Sequence, residues 1–226
     1  VEEVLSLNKK FKEVVIANLG DSVDGWDGFT QRKTHHLGSM SNKDQFDIYF
    51  RSMSTFYTSL FESNITDKFT VINCLDSNHE GVQFSYICNK TVEYFLKEKY
   101  PFVEFFQQEK FIELYTFGNK DIAMCHGKDA TIMKYPMKKH LDDRLDLWAN
   151  QYFDSKKSKN PRILVKGDLH MFSQEPGKFG TYINIPSVYG TSDYISMNYG
   201  ISKPGVGIQI IDPDKEHTIV YPVFLD

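Results

Sequence analysis

The chain has 226 residues, of which 41% are hydrophobic and 15% aromatic, enough for one large domain with a sizeable core. Its net charge of −4 provides no global basic field for nucleic acid. No apolar run approaches the ~20 residues of a membrane span, so we expect neither a signal peptide nor a membrane partner. Three cysteines in apolar segments favour reduced thiols and a cytoplasmic location.

The first part of the chain alternates helical and strand patterns. Residues 1–10 are predicted to form the end of a helix, and the apolar, β-branched run at 14–19 a buried strand. The polar stretch 20–40 contains four glycines and is predicted to be a long loop, which usually serves a functional site. Residues 41–44 are typical of a helix start, and apolar residues at helical spacing predict a helix over 44–61.

Strand patterns dominate the rest of the chain. A strand at 68–74 precedes a helix at 84–99, which is predicted to end near Pro101. The later predicted elements are hairpin strands at 111–117 and 121–125 joined through Gly118-Asn119, a helix at 142–153, and strands near 162–166, 179–185, 206–211 and 217–223. This order predicts an α/β protein with a sheet-rich C-terminal half. No repeat or linker divides the chain, so we expect one domain over 1–226.

Polar residues that can bind a metal ion follow four of the predicted buried strands. The segments that follow them are Gly20-Asp21, Asp76-Ser77-Asn78-His79-Glu80, His126-Gly127 and Gly167-Asp168-Leu169-His170. In open α/β sheets, ligands bind at the carboxyl edge of the strands. The sequence therefore predicts a polynuclear metal site built from oxygen and imidazole ligands.

The ordered set of motifs resembles the calcineurin-like metallophosphoesterase superfamily. The motifs are Gly-Asp-x-x-Asp-Gly at 20–25, Asn-His-Glu at 78–80, His-Gly at 126–127 and Gly-Asp-x-His at 167–170. Phage and prophage-type members are the most similar, because they share the Gly-Asp-Ser-Val-Asp-Gly, Cys-His-Gly-Lys-Asp and Lys-Gly-Asp-Leu-His segments. The resemblance covers essentially the whole chain and implies a two-sheet α/β sandwich flanked by helices.

The resemblance implies a two-metal site. Asp21 corresponds to the carboxylate that bridges two cations about 3.5–4 Å apart and offsets their repulsion. Asn78 and His126 correspond to ligands of the second metal, and His170 to a ligand of the first. Asp168 stands where the family usually has a second-metal histidine. Because oxygen ligands favour harder cations, we expect Mn²⁺, with Mg²⁺, Zn²⁺ and Fe²⁺ as alternatives.

One family motif has no counterpart in this chain. The family opens with an Asp-x-His motif at the end of its first strand, and that motif supplies first-metal ligands. We therefore expect the chain to lack the first strand of the fold. We also expect it to bind at most one divalent ion well, on the side of Asp21, Asn78 and His126.

The resemblance also implies catalytic and substrate-binding residues. His79 corresponds to the histidine that protonates the leaving alkoxide or faces the phosphate. Asp24 corresponds to the carboxylate that orients this histidine, although it could simply cap the loop. His36, Arg32 and Lys128 are candidates for substrate binding, with solvated surface as the ordinary alternative for each.

The function implied is hydrolysis of a phosphoester by the two-metal site of the complete protein. In the phosphatase branch an arginine follows the Gly-Asp-x-x-Asp segment, whereas Gly25 follows it here, which weakens the phosphatase interpretation. The phage-type resemblance favours a phosphodiesterase or nuclease that acts on nucleic acid. The alternative is a non-catalytic binding or scaffold module with the same fold. The oligomeric state and the exact substrate stay open.

Overall fold

The computed structural model describes most of the chain. The described residues are 2–7, 9–29, 40–108, 110–127, 150–168, 170–176, 180–188, 203–212, 214–215 and 218–225. The chain divides into two compact units: Val1–Phe111 with Lys128–Ile132, and Ile112–Gly127 with Met133–Asp226. The expectation of a single domain stays a prediction.

The first unit is a small parallel sheet with helices. Its elements in chain order are α1 (Glu2–Ser6), β1 (Val14–Asn18), a 3₁₀ turn (Trp26–Gly28), α2 (Asn42–Phe61), β2 (Phe69–Cys74), α3 (Gly81–Lys99) and β3 (Glu104–Gln108). The sheet order is β1-β2-β3, and both pairings are parallel. Every residue of β2 is buried, as expected for a central strand whose two faces are both covered.

Helices α2 and α3 pack against each other and contribute most of the first unit's core. The side chain of Ser41 accepts a hydrogen bond from the Asp44 N–H and thereby caps α2. The buried core residues are Tyr49, Tyr57, Leu60, Phe61, Ile65, Phe69, Val71, Phe84, Cys88, Val92, Leu96, Tyr100 and Val103. The core is rich in aromatic rings in direct contact, such as Phe61 against Phe69 at 5.0 Å between centroids.

The second unit is built mainly from strands. Its elements are β4 (Glu113–Phe117), β5 (Lys120–Cys125), β6 (Arg162–Lys166), β7 (Ser173–Pro176), β8 (Gly180–Asn184), β9 (Gly205–Ile211) and β10 (Thr218–Phe224), and residues 150–155 are helical. Five strands form a sheet in the order β4-β5-β6-β8-β7, in which β5, β6 and β8 run parallel. Strands β9 and β10 form a separate antiparallel pair.

The predicted α/β class is confirmed, with several sheets and few helices. The hairpin through Gly118-Asn119 is also confirmed, since Phe117 pairs with Lys120 across a two-residue turn. Two strands were not predicted. The sequence of β3 does not alternate, and β7 has an exposed burial pattern and contains Pro176. None of the described helices is long and apolar enough to cross a membrane.

Candidate metal centre

Two predicted site loops of the first unit start from the same edge of its sheet. Strands β1 and β2 are parallel, and Asn18 pairs with Asn73 near their carboxyl ends. The segments that follow, 19–25 and 75–80, therefore leave the sheet side by side. This is the edge at which open α/β sheets bind their ligands.

Asp21 and His79 are in contact although 58 positions separate them in the chain. The backbone N–H of His79 donates a hydrogen bond of 3.1 Å to Oδ1 of Asp21. Nε2 of the same histidine lies 3.5 Å from Oδ2 of Asp21. The structure thus brings together the predicted bridging carboxylate and the predicted catalytic imidazole.

Glu80 joins the two loops through the backbone. Its Oε2 accepts hydrogen bonds of 3.2 Å from the N–H groups of both Ser22 and Val23. The carboxylate is buried, so these charge-assisted bonds are shielded from water. Glu80 therefore fixes the backbone directly after Asp21.

Two glycines allow the loops to approach each other closely. Gly20 has φ +90°, and a Cβ there would lie 2.9 Å from Cβ of Ser77. Gly25 has φ +107°, and a Cβ there would lie 2.6 Å from the carbonyl oxygen of His79. Both the backbone conformation and the space require glycine at these positions.

A partly buried polar network, which we call the Asn18 network, holds the loop through Asn18, Tyr49 and Asn89. Oδ1 of Asn18 accepts hydrogen bonds from the N–H of Gly20 at 3.1 Å and from Oγ of Ser22 at 3.2 Å. Nδ2 of Asn18 donates to the Tyr49 hydroxyl at 3.3 Å, and that hydroxyl donates to Oδ1 of Asn89. Because Tyr49 is on α2 and Asn89 on α3, both helices hold the loop that carries Asp21.

Gln45 on α2 holds the other end of the loop. Its Oε1 accepts a hydrogen bond of 2.9 Å from the N–H of Asp24, and its Nε2 donates one of 3.0 Å to the carbonyl of Gly25. The carboxylate found beside His79 is that of Asp21. The predicted role of Asp24 in orienting His79 stays a prediction.

The second unit brings another predicted pair together. Strands β5 and β6 are parallel, so the residues that follow them emerge at one edge. Nε2 of the buried His126 lies 3.7 Å from Oδ1 of Asp168. The N–H of Gly167 donates a hydrogen bond of 3.0 Å to the carbonyl of His126, which ties the two segments to each other.

Three predicted metal ligands have a left-handed backbone. The φ angles are +53° at Asp21, +61° at Asp168 and +56° at His170. The other non-glycine residues with positive φ in the described part of the chain are Asp27, Asn64 and Lys157. Such conformations are uncommon for residues with a side chain, and they concentrate at functional sites where the surrounding structure imposes them.

The donor atoms suit a divalent cation in type and in pairwise spacing. Two ligand atoms about 2.1 Å from one ion lie roughly 3.0–3.6 Å apart at bond angles of about 90–120°. The His126–Asp168 separation of 3.7 Å, between two predicted ligands, is close to that range. Within the described residues, however, no three His, Cys, Asp or Glu side chains are grouped so that they could hold an ion.

Several predicted residues are not part of these pairs. Asn78 lies in the turn before α3, next to His79, and is partly exposed. His170 is also partly exposed. The candidate substrate-binding residues Arg32, His36 and Lys128 lie outside the described residues.

The sequence did not predict the residues that support the loop. Asn18 and Glu80 could have been found, because each is a polar residue at the end of a strand or the start of a helix. Gln45 and Tyr49 left a weaker signal, namely polar atoms on the buried face of an amphipathic helix.

No protein-family model matches this chain, and no curated protein matches it. Solved structures do show similarity. Vps29 from Entamoeba histolytica in complex with zinc has a TM-score of 0.35 and 13% identity, over 69% of this chain and 81% of that one.

Two further solved structures are similar over nearly the whole chain. An archaeal phosphodiesterase has a TM-score of 0.40 and 10% identity, over 94% of this chain and 100% of its own. A predicted phosphoesterase from Streptococcus pneumoniae has a TM-score of 0.37 and 12% identity, over 93% and 97%.

Proposed function

We propose that this chain belongs to a metal-dependent phosphodiesterase that acts on nucleic acid, in the manner of the phage-type metallophosphoesterases. The contact between Asp21 and His79 is the observation that carries the proposal. It joins a carboxylate suited to metal binding with an imidazole suited to proton transfer. A cytoplasmic location belongs to the same proposal.

The residues assigned to metal binding are Asp21, Asn78, His126, Asp168 and His170. Divalent ions bound there would lower the pKa of a water molecule and neutralise charge on the phosphoryl oxygens. The oxygen and imidazole donors favour Mn²⁺ among the candidate ions. The left-handed backbone of Asp21, Asp168 and His170 supports a functional role for these three positions.

His79 is assigned to proton transfer. Its backbone is fixed through the hydrogen bond to Asp21, and Nε2 faces the same carboxylate. The side chain keeps 29% of its accessible surface, so a substrate can reach the ring. A histidine held in this way can deliver a proton from Nε2 to a leaving oxygen.

Glu80 and the Asn18 network are assigned to positioning. They hold the backbone on both sides of Asp21 through hydrogen bonds. None of these supporting groups is a cation that would pair with the Asp21 carboxylate in place of a metal ion. A carboxylate held by a rigid loop loses less conformational entropy when it binds, which favours both affinity and geometry.

The second candidate function is a non-catalytic binding or scaffold module. The observation that favours it is Asp168, which stands where the resemblance leads us to expect a histidine ligand. The two functions differ in whether Mn²⁺-dependent hydrolysis occurs at all.

The experiment compares His79→Gln with Asn78→Ala in the complete protein. His79→Gln should lower turnover by about 10²–10⁴-fold and leave the metal content nearly unchanged, because general acid catalysis is worth that much. Asn78→Ala should instead lower the metal content. His217→Gln is the matched control, since His217 lies in none of the motifs.

The substrates are bis-(p-nitrophenyl) phosphate, its monoester analogue, and single- and double-stranded DNA and RNA, each with Mn²⁺. Preference for the diester and cleavage of a nucleic acid would support the proposal. Preference for the monoester would indicate a phosphatase. Failure to cleave any of them with metal bound would favour the scaffold module.

A further inference from the structure

Trp26 is a large aromatic residue that the structure leaves partly exposed. It occupies the first position of the 3₁₀ turn, directly after Gly25, and 46% of its surface is accessible. The indole stacks on the ring of the buried Phe84, with centroids 4.4 Å apart and planes 15° from parallel. Phe84 lies in the first turn of α3 and gives the indole a fixed support.

The turn that carries Trp26 is tied down at several points. The N–H of Phe29 donates a hydrogen bond of 3.0 Å to the carbonyl of Trp26. The N–H of Asp27 donates to Oδ1 of Asn42, and Nδ2 of Asn42 donates to Oδ1 of Asp27 at 2.8 Å. Asp27 itself has a left-handed backbone, with φ +55°. The ring is therefore held in place before any ligand arrives.

This rigid turn lies beside the candidate catalytic histidine. Gly25 packs so closely on the carbonyl oxygen of His79 that a Cβ would lie 2.6 Å from it. Phe84, which supports the indole, follows His79 by five positions on the same loop and helix. The turn that carries Trp26 therefore contacts the His79 backbone through Gly25, and the Trp26 ring contacts α3 five positions after His79.

We propose that Trp26 stacks on a nucleobase next to the phosphodiester that is cleaved. This inference rests on the proposed function and names the part of the substrate that the site recognises. A base has a planar face whatever its sequence, and aromatic side chains bind single strands in this way. The net charge of −4 limits general attraction to phosphates, so contacts to the bases must contribute more of the affinity.

Fluorescence tests the stacking without requiring cleavage. The sequence has two tryptophans, so Trp148→Phe leaves Trp26 as the only indole. In this variant, combined with His79→Gln and with Mn²⁺ present, an oligodeoxythymidylate should quench the indole fluorescence. An abasic strand of equal length and charge should leave it unchanged. Equal quenching by both strands would overturn the inference.

Kinetics tests the contribution of the stacking to substrate use. Trp26→Ala should raise KM for the oligodeoxythymidylate by about 5- to 150-fold, equivalent to about 1–3 kcal/mol of stacking. Trp26→Phe keeps an aromatic ring stacked on Phe84 and should retain most of the affinity for the strand. Trp26→Leu still covers Phe84 but has no aromatic face, so its KM should rise as much as that of Trp26→Ala. Tyr94→Ala, which removes an exposed aromatic from α3, is the control and should leave KM unchanged.

Two outcomes separate this inference from the proposed function. Trp26→Leu with wild-type KM would overturn the stacking and leave the phosphodiesterase proposal intact. A complete wild-type protein that holds its metal and cleaves no strand would overturn the proposed function. The fluorescence experiment would then test the stacking by itself, through the difference in quenching between the oligodeoxythymidylate and the abasic strand.

Discussion

The substitutions Tyr49→Phe and Tyr57→Phe should have opposite effects on stability. Both tyrosines are buried on α2, eight positions apart. The Tyr49 hydroxyl accepts a hydrogen bond from Asn18 and donates one to Asn89. The Tyr57 hydroxyl has no hydrogen-bond partner among the described residues. The same chemical change therefore removes a hydrogen-bonded hydroxyl at position 49 and a hydroxyl without a described hydrogen-bond partner at position 57.

The expected magnitudes follow from these contacts. Removing the Tyr49 hydroxyl deletes its two hydrogen bonds, one with Asn18 and one with Asn89, which keep only the longer contact of 3.4 Å to each other. At about 0.5–1.5 kcal/mol for each hydrogen bond, this should lower the free energy of unfolding by about 1–3 kcal/mol. Removing the Tyr57 hydroxyl relieves the cost of burying it unpaired and should raise that free energy by about 1 kcal/mol. The two variants should then differ by about 2–4 kcal/mol.

Urea denaturation followed by far-UV circular dichroism measures both free energies at pH 7. Because the two substitutions remove the same atom from the same helix, each serves as the control for the other. Changes of equal size and sign would refute the assignment of the Asn18 network as the support of the Asp21 loop.

The remaining predictions concern alkaline stability, one glycine and one thiol. Burial raises the pKa of Tyr57 well above its usual value near 10, so the unfolded chain loses the hydroxyl proton at a lower pH than the folded chain does. This difference leaves the free energy of unfolding unchanged below pH 10 and lowers it as the pH rises above 10. Tyr57→Phe should therefore flatten the fall in unfolding free energy between pH 10 and 12. Gly25→Ala should cost at least about 2 kcal/mol in urea denaturation, because its Cβ would lie 2.2 Å from the Phe29 carbonyl oxygen. Burial, assisted by the charge of Glu80, raises the pKa of Cys88 to about 12, so mass spectrometry should find this thiol unmodified by iodoacetamide at pH 8 until urea unfolds the chain.

Local patterns in the sequence predicted most of the regular structure. The apolar run before Asp21 and the spacing of apolar residues in 44–61 depend only on neighbours along the chain, and the structure places β1 and α2 there. Strand β7 escapes this kind of reasoning, because three of its four residues are exposed and it therefore has no alternation of apolar and polar residues.

The candidate site was predicted only in outline. Polar residues at the ends of buried strands were readable, because parallel strands deliver their carboxyl ends to one edge. The contact between Asp21 and His79 was not readable, since it joins residues 58 positions apart. It depends on the backbone path through Gly20 and Gly25, and only the folded chain defines this path.

The contacts among the supporting residues were decided by tertiary structure alone. Asn18 and Asn89 lie 71 positions apart and share the hydroxyl of Tyr49, which the sequence presents only as one more aromatic of an amphipathic helix. A sequence pattern tells which side of a helix is buried, because burial follows the helical period. Which buried polar atoms meet depends on how α2 and α3 pack on the sheet, and no local pattern encodes that geometry.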